Sequence, residues 1–333
     1  MIRGDHDISY VVAEEHDDGS LLLRPITPDD RIGGSAPEPR GPAAADGQML
    51  LPGRPAGQTT SERERRPERA AARNAAGEDP AVVLEVDGLS VAYGAKRAVD
   101  DVRFQIRRGE IFGLLGPNGA GKTSTLSAIE GLIEPRAGRV FLDGIDIRRH
   151  PTQAKARMGV QLQATSFQSE LTIQQIVRLY AGLYGVRLSD REIADRLTVI
   201  GLEGEAGKPF KQLSGGQQQR LSLHVAVVHE PVLLLLDEPT AGLDPQSRRQ
   251  LWSRIEHLRQ EGGSILLTTH SMEEAQAVCD RVAIIDQGTL LTTETPHDLI
   301  EKHKDDPRVR EVAHGDATLE DVFIGLTGNE IRE

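Results

Sequence analysis

Apolar runs recur through most of the chain, and helix-like stretches separate them. Residues 82–86 and 111–115 are almost continuously apolar, whereas residues 98–106 alternate between apolar and polar positions, as a half-buried strand does. Further apolar runs lie at residues 232–236, 264–267 and 282–285. Strands that alternate with helices predict an α/β fold, in which a mostly parallel sheet is covered on both faces.

The middle of the chain has a different pattern. Between about residues 164 and 229 no strand pattern occurs. Residues 173–184, 190–200 and 217–228 instead have helical spacing of apolar positions. We therefore expect a helical subdomain, inserted into an α/β domain that spans residues 81–303.

The first 80 residues contain nine of the 18 prolines and, in Tyr10, one of the 11 aromatic residues. So little apolar surface cannot offset the entropy lost on ordering, and we expect a disordered N-terminal extension over residues 1–80. Residues 8–13 and 20–26 are two small apolar patches that could form a short strand or a docking segment.

Composition narrows the class of protein. The 333 residues include 39 Lys and Arg against 51 Asp and Glu, a net charge of −12, which argues against non-specific binding to nucleic acid. A membrane-spanning helix needs about 20 apolar residues, and no run approaches that length. The N-terminus lacks the apolar segment of a secretory signal. A single cysteine, Cys279, excludes an internal disulfide and a multi-cysteine metal site.

Residues 116–123 read GPNGAGKT and match the phosphate-loop pattern G-x-x-x-x-G-K-[ST]. They follow an apolar strand and precede a helix, which is the context that the pattern requires. Glycines allow backbone N–H groups to converge on phosphate oxygens, and the helix adds its positive end. We expect Lys122 to reach the β- and γ-phosphates and the Thr123 hydroxyl to bind Mg²⁺.

Two acids end a buried strand, and a second anion-binding loop precedes them. Asp237 and Glu238 follow the apolar run 232–236, at the edge of the sheet where ligands bind in open α/β folds. Asp237 is suited to bind Mg²⁺, and Glu238 could orient and polarise an attacking water. Residues 213–217, LSGGQ, open a helix with a serine and two glycines, which predicts another anion site.

The LSGGQ segment resembles the signature motif of the ATP-binding cassette (ABC) ATPases, and it lies upstream of the acid pair at that family's spacing. One departure is Gln218, which stands where the family often has a basic residue. The resemblance covers residues 82–303. It implies a P-loop NTPase (RecA-like) core with a β subdomain and an inserted helical subdomain.

The resemblance assigns roles to further residues. Tyr93 resembles the aromatic residue that stacks on adenine, and Gln163 resembles the Q-loop glutamine, with Gln161 as a rival in the same segment. Asp244 resembles the D-loop aspartate, and His270 resembles the switch histidine that contacts the γ-phosphate. Without this context, His270 and Tyr93 would be ordinary surface or packing residues.

In the family, two ATPase chains form a head-to-tail dimer with ATP and Mg²⁺ between them, and a homodimer is favoured because all motifs are intact. The resemblance implies that Glu238, His270 and Gln163 are catalytic and that Thr123, Gln163 and Asp237 bind Mg²⁺. The residues implied to bind ATP in one chain are Tyr93, Gly116, Pro117, Asn118, Gly119, Ala120, Gly121, Lys122, Thr123 and Ser124. Those implied to bind it from the other chain are Leu213, Ser214, Gly215, Gly216, Gln217 and Asp244.

Two segments resemble the drug-export branch of the family, whose membrane subunit is a separate chain. The first comprises residues 171–172 and 180–185. The second is residues 318–328 of the C-terminal tail (304–333), which form an amphipathic helix pattern that Gly328 can cap. The alternative for the tail is a helix that only packs on the core. The resemblance implies export of a drug-like, antibiotic or lipid-like compound, at the cytoplasmic side of the membrane.

Three other functions share some of these motifs. An ABC importer would use the same ATPase residues. A soluble ABC ATPase of translation or DNA repair usually has two cassettes or a long coiled coil, and neither pattern occurs here. An unrelated P-loop enzyme such as a kinase would have no use for the loop at 214–217.

Overall fold

A computed structural model describes residues 11–15, 21–25, 81–161 and 167–328. The chain divides into two units, Met1–Ala70 and Ala71–Glu333, which we describe separately. In the first unit, strands β1 (Val11–Glu15) and β2 (Leu21–Pro25) pair antiparallel. They overlap the two apolar patches, residues 8–13 and 20–26, for which a short strand was one of the predicted possibilities. The disorder expected for the remainder of residues 1–80 concerns positions outside the described residues.

The second unit begins with an antiparallel sheet. Its strands are β3 (Val82–Tyr93), β4 (Lys96–Arg107), β6 (Ala137–Leu142) and β7 (Ile145–Asp146), in the order β4-β3-β6-β7. Val102, Phe104 and Ile106 of β4 are buried while the residues between them are exposed, as the alternation predicted. Phe104 stacks on Phe112 of the next sheet with ring centroids 5.2 Å apart, which joins the two sheets.

The central sheet has six strands in the order β12-β11-β5-β10-β9-β8. Its strands are β5 (Ile111–Leu115), β8 (Met158–Val160), β9 (Leu233–Asp237), β10 (Ser264–Thr269), β11 (Arg281–Asp286) and β12 (Thr289–Glu294). Neighbours are parallel except for β11 and β12. Leu114 and Leu266 belong to one hydrophobic cluster, and their sequence neighbours Leu115 and Leu267 belong to another, so both faces of the sheet are buried.

Seven helices of the described residues accompany the two sheets. They are α1 (Lys122–Ile129), α2 (Pro151–Lys155), α6 (Pro245–Gln260), α7 (Met272–Val278), α8 (Pro296–His303), α9 (Pro307–Val312) and α10 (Leu319–Thr327). The C-terminal helix α10 buries Leu319 and Phe323 in the second cluster and ends at Gly328, whose φ is 68°. The amphipathic helix predicted for the tail is therefore present, and it packs on the core. No described helix is both long and apolar enough to cross a membrane.

Three helices and two short 3₁₀ helices (Glu203–Glu205 and Phe210–Gln212) form the helical subdomain. The helices are α3 (Ile173–Leu183), α4 (Asp190–Val199) and α5 (Gly215–Ala226), close to the predicted ranges. Each begins with a capping box, formed by Thr172, Ser189 and Ser214 with the residue three positions later. A third hydrophobic cluster holds these helices together.

Candidate functional site

The phosphate loop joins β5 to α1, and two of its glycines are there for steric reasons. A Cβ at Gly116 would lie 2.2 Å from the carbonyl oxygen of Ile285. Gly121, the residue before α1, has φ 109°, which favours glycine. The turn therefore brings the N-terminus of α1, with its unpaired N–H groups, to the end of β5.

Lys122 is the first residue of α1, and the residue is 95% buried. Its Nζ donates to the carbonyl of Gly116 (2.7 Å) and of Pro117 (3.3 Å) and lies 3.7 Å from Oε1 of Glu238. Burial lowers the pKa of Lys122, although Glu238 and Asp237 favour the charged form. The structure thus brings the lysine and the second acid together.

The acid pair lies where β9 ends, beside β10. The hydroxyl of Thr268 donates to Oδ1 of Asp237 (2.5 Å) and accepts from the backbone N–H of Glu238 (3.0 Å). Glu238 has φ 46°, a conformation that is uncommon for residues other than glycine. Thr268 holds both acids, yet sequence reasoning missed it because the pairing of β9 with β10 follows from the tertiary fold.

His270 follows β10 and completes this cluster. Its Nδ1 lies 3.4 Å from Oε1 of Glu238, so the glutamate contacts both the histidine and Lys122. Tyr93 lies at the margin, where its hydroxyl is 3.5 Å from Oγ of Ser124 in α1. Its ring is 54% exposed and is available for stacking.

The signature loop makes different contacts. Oγ of Ser214 accepts from the N–H of Gln217 (3.3 Å), and Oε1 of Gln217 accepts from the N–H of Ser214 (2.9 Å). A Cβ at Gly216 would lie 2.7 Å from Oγ of Ser247. This glycine therefore allows the start of α5 to approach the start of α6 closely.

Asp244 is the residue before α6 and caps that helix. Its carboxylate accepts from the N–H of Gln246 (2.9 Å) and of Ser247 (3.1 Å), and from the Ser247 hydroxyl (2.6 Å). These bonds, the Ser247 hydroxyl first, lower the pKa of Asp244. Ser247 therefore links Asp244 to the signature loop of the same chain.

The sequence did not predict three contacts that tie these loops to the core. Nε2 of Gln219 in α5 donates to the carbonyl of Pro239, directly after the acid pair (2.6 Å). The Thr240 hydroxyl donates to Oε2 of Glu274 in α7 (2.6 Å), whose other oxygen lies 3.1 Å from Nε of Arg248. Pro239 and Thr240, which follow the acid pair, are thus held by hydrogen bonds to α5 of the helical subdomain and to α7.

Gln163 lies outside the described residues, which omit 162–166. Its rival Gln161 is described: its N–H donates to Leu235 and its buried Oε1 has no hydrogen-bond partner.

A hydroxyl at Thr123 and a carboxylate at Asp237 are hard oxygen donors of the kind that Mg²⁺ prefers. In the described part of the chain, no group of three or more His, Cys, Asp or Glu side chains could hold a metal. A magnesium ion bound through one or two protein oxygens and the phosphates of a nucleotide fits this donor set.

Comparison with known proteins agrees with this geometry. The family model described as ABC transporter matches residues 99–241, which include the phosphate loop, the signature loop and the acid pair. The Nod factor export ATP-binding protein I of Ralstonia nicotianae is 40% identical over 220 residues, 66% of this chain and 68% of the relative. The probable multidrug ABC transporter ATP-binding protein YbhF of Escherichia coli is 37% identical over 246 residues, 73% of this chain and 41% of the relative.

A solved structure of an ATP-binding subunit of an ABC transporter superposes with a TM-score of 0.65 at 31% identity. It covers 74% of this chain and 99% of that structure's chain. The predicted P-loop NTPase fold and the resemblance stated from the sequence are both confirmed. This chain belongs to the ABC transporter family as an ATP-binding subunit, and it is an ATPase.

Proposed function

We propose that this ATPase powers the export of a drug-like, antibiotic or lipid-like compound through a separately encoded membrane subunit. The observation that carries the proposal is the identity of 40% over 220 residues to a protein named for Nod factor export. A second relative, 37% identical, is named for multidrug transport, which supports the same direction.

The site residues have distinct roles in this proposal. Lys122 binds the β- and γ-phosphates, Glu238 orients and polarises the attacking water, and His270 contacts the γ-phosphate. The contacts of Glu238 with the other two side chains support this assignment, because phosphoryl transfer depends mainly on positioning and charge. Tyr93 would stack on adenine, and Gln163 would contact the metal and the water.

Mg²⁺ completes the site. Thr123 and Asp237 would hold it, and when bound it neutralises charge on the phosphates. Thr268 fixes the orientation of Asp237 through the 2.5 Å hydrogen bond, so the carboxylate is positioned before the nucleotide arrives.

The active unit is a head-to-tail homodimer. The exposed Ser214 and its neighbours in the signature loop bind the ATP held by the phosphate loop of the partner chain. Within one chain the signature loop contacts Ser247, whereas the phosphate loop contacts Glu238. The two loops thus have different partners within the chain, which supports their acting on different nucleotides. Hydrolysis would then require closure of the dimer, and ATP would favour the closed state.

The dimer acts at the cytoplasmic side of the membrane, attached through its membrane subunit. The end of α3 supports a docking surface there. Leu183 is 55% exposed, and the neighbouring Tyr184 stacks on His229 with ring centroids 3.6 Å apart. A large exposed apolar residue beside a fixed aromatic ring is suited to a protein partner.

Purification of the tagged chain from gently solubilised membranes of its host tests the proposal. We expect one multi-span membrane protein to accompany it. A Leu183→Ser, Tyr184→Ser variant should lose this partner, whereas Leu291→Ser, which changes another exposed leucine, should retain it.

Inside-out vesicles that contain both proteins should accumulate the compound when ATP is added. Accumulation only in right-side-out vesicles that are loaded with ATP would identify an importer instead. Recovery with ribosomes or DNA-repair factors in place of a membrane protein would contradict a transport function.

A further inference from the structure

A cleft of about 770 Å³ separates the helical subdomain from the core, and no residue of the phosphate loop or the acid pair lines it. The ends of α4 and the middle of α5 form one wall, and α6 forms the other. We call it the α5–α6 cleft. Its volume lies in the range of small-molecule binding sites, roughly 300–1,000 Å³.

The lining of the cleft is cationic. The charges come from Arg220 of α5 and from Arg249 and Arg254 of α6, and the described residues that line the cleft include no Asp or Glu. This concentration of positive charge occurs in a chain whose net charge is −12. Three guanidinium groups around one cleft repel each other unless an anion lies between them.

Neighbouring arginines of the same helix are neutralised, and those of the cleft are not. Arg248 pairs with Glu274, and Arg259 pairs with Glu256. Among the described residues, no carboxylate forms an ion pair with Arg220, Arg249 or Arg254. Arg249 donates to the carbonyl of Pro245 (3.2 Å), which leaves its charge without a counterion.

Buried polar atoms in the wall of the cleft also lack partners. His224 is 96% buried, and neither of its ring nitrogens has a hydrogen-bond partner; Nε of Arg220 is likewise buried without one. Most buried polar atoms in proteins are hydrogen-bonded, because an unpaired one loses its contacts with water and gains nothing in return. Burial, with Arg196 and Arg254 nearby, lowers the pKa of His224 to about 4, so its ring is neutral at pH 7.

We propose that the α5–α6 cleft binds a phosphate-bearing small molecule. The planar guanidinium groups of Arg249 and Arg254 suit bidentate contacts to phosphate oxygens. Leu223 and Leu251 also line the cleft and would contact the less polar part of the ligand. A phosphate ion alone would fill only a small part of this volume, so the ligand is of metabolite size.

Such a ligand would affect turnover, and this consequence rests on the function proposed above. The helix α5 begins at the signature loop and α6 begins after Asp244, so a molecule that contacts both helices stabilises one arrangement of these two loops. If that arrangement differs between the open and closed dimers, the ligand shifts the balance between them.

Isothermal titration of the full-length protein with inorganic phosphate and with pyrophosphate tests the binding itself. Saturating ADP occupies the phosphate loop, and ionic strength is held constant with chloride. We expect an Arg249→Gln, Arg254→Gln double variant to bind either probe at least tenfold more weakly than the wild type. Arg259→Gln, which removes a charge from the same helix outside the cleft, should bind as the wild type does. Retained ADP binding shows that each variant is folded.

Equal affinity in all three proteins, or no binding by the wild type at millimolar phosphate, would overturn the proposal. Tighter binding of succinate than of phosphate would overturn the phosphate class. Because the titration measures binding without transport, a negative result would not contradict the export proposal. A change in the ATPase response to phosphate between wild type and double variant would support the coupling, and an identical response would reject it.

Discussion

The hydroxyl of Thr268 lies 2.5 Å from Oδ1 of Asp237 and also accepts the backbone N–H of Glu238, so one side chain positions both acids. Thr268 is completely buried in β10, directly opposite Asp237 in the register of the parallel strands. Because Thr268 holds the side chain of Asp237 and the backbone of Glu238, it fixes the positions of the two acids relative to each other. These acids are the proposed metal-binding and water-polarising groups.

Thr268→Val keeps the shape of this side chain and removes both hydrogen bonds. We expect kcat for ATP hydrolysis to fall about tenfold, because an unpaired group in such a position is worth about 1–3 kcal/mol. Nucleotide affinity should change little, since the hydroxyl of Thr268 contacts the two acids and is not among the groups proposed to bind the nucleotide. Thr268→Ser, which restores the hydroxyl, should recover most of kcat. A purely structural role would instead lower the melting temperature without this rescue.

Glu238→Gln removes the carboxylate while keeping the size of the side chain. If Glu238 polarises the attacking water, turnover falls at least about 100-fold, the contribution typical of a general base. ATP binding, measured by equilibrium titration, should persist because Lys122 still reaches the phosphates. The exposed Glu261→Gln is the matched control. Wild-type turnover in the Glu238 variant would mean that another group activates water.

Lys122→Ala removes the buried cation of the phosphate loop. We expect ATP and ADP to bind roughly 10- to 100-fold more weakly, since hydrogen bonds to charged groups contribute about 1.5–3 kcal/mol. Lys208→Ala changes an exposed lysine and should leave binding unchanged. Titration with a fluorescent nucleotide measures the affinity of each variant. Unaltered affinity of the Lys122 variant would contradict its assignment to the phosphates.

Ser214 caps α5 and is also proposed to bind the partner's ATP, and two substitutions separate these roles. Ser214→Ala loses the cap and should destabilise the protein by about 1 kcal/mol. Ser214→Asp keeps a capping oxygen but places negative charge beside the phosphates. Both variants should lose ATPase activity, while only the alanine variant melts at lower temperature.

Mixing Lys122→Ala subunits with Ser214→Asp subunits tests the head-to-tail dimer. Each mixed dimer would contain one site with both defects and one site with none. We therefore expect ATPase activity well above that of either variant alone. Activity that never exceeds the separate variants would argue that both loops act on the same chain's nucleotide.

His224 makes the protein sensitive to acid. Its pKa is lowered to about 4 in the folded state from 6.5, so the unfolded chain binds a proton between these values and the folded chain does not. Stability therefore rises with pH across this window and falls by about 3 kcal/mol between pH 7 and pH 4. His224→Gln should flatten the dependence of melting temperature on pH, and an unchanged dependence would contradict this assignment.

Local patterns in the sequence were sufficient for most elements and for the chemistry of the loops. The glycines, lysine and threonine of residues 116–123 act through adjacent backbone atoms, so their arrangement is encoded within eight positions. The apolar runs of β5 and β9 and the capping residue of α5 are similarly local signals. Strand β8 was not identified because it has only three residues, and β12 because none of its residues is fully buried.

The order of the strands and the contacts between distant loops depend on tertiary structure. Thr268 meets Asp237 only because β10 lies between β5 and β9, and Gly216 meets Ser247 only because α5 packs beside α6. The α5–α6 cleft likewise needs two helices whose arginines are 29 positions or more apart in sequence (Arg220 and Arg249). The sequence by itself determined which residues carry phosphate chemistry, since that depends on local backbone geometry. The tertiary structure decided which side chains position them, since that depends on how buried strands and helices pack.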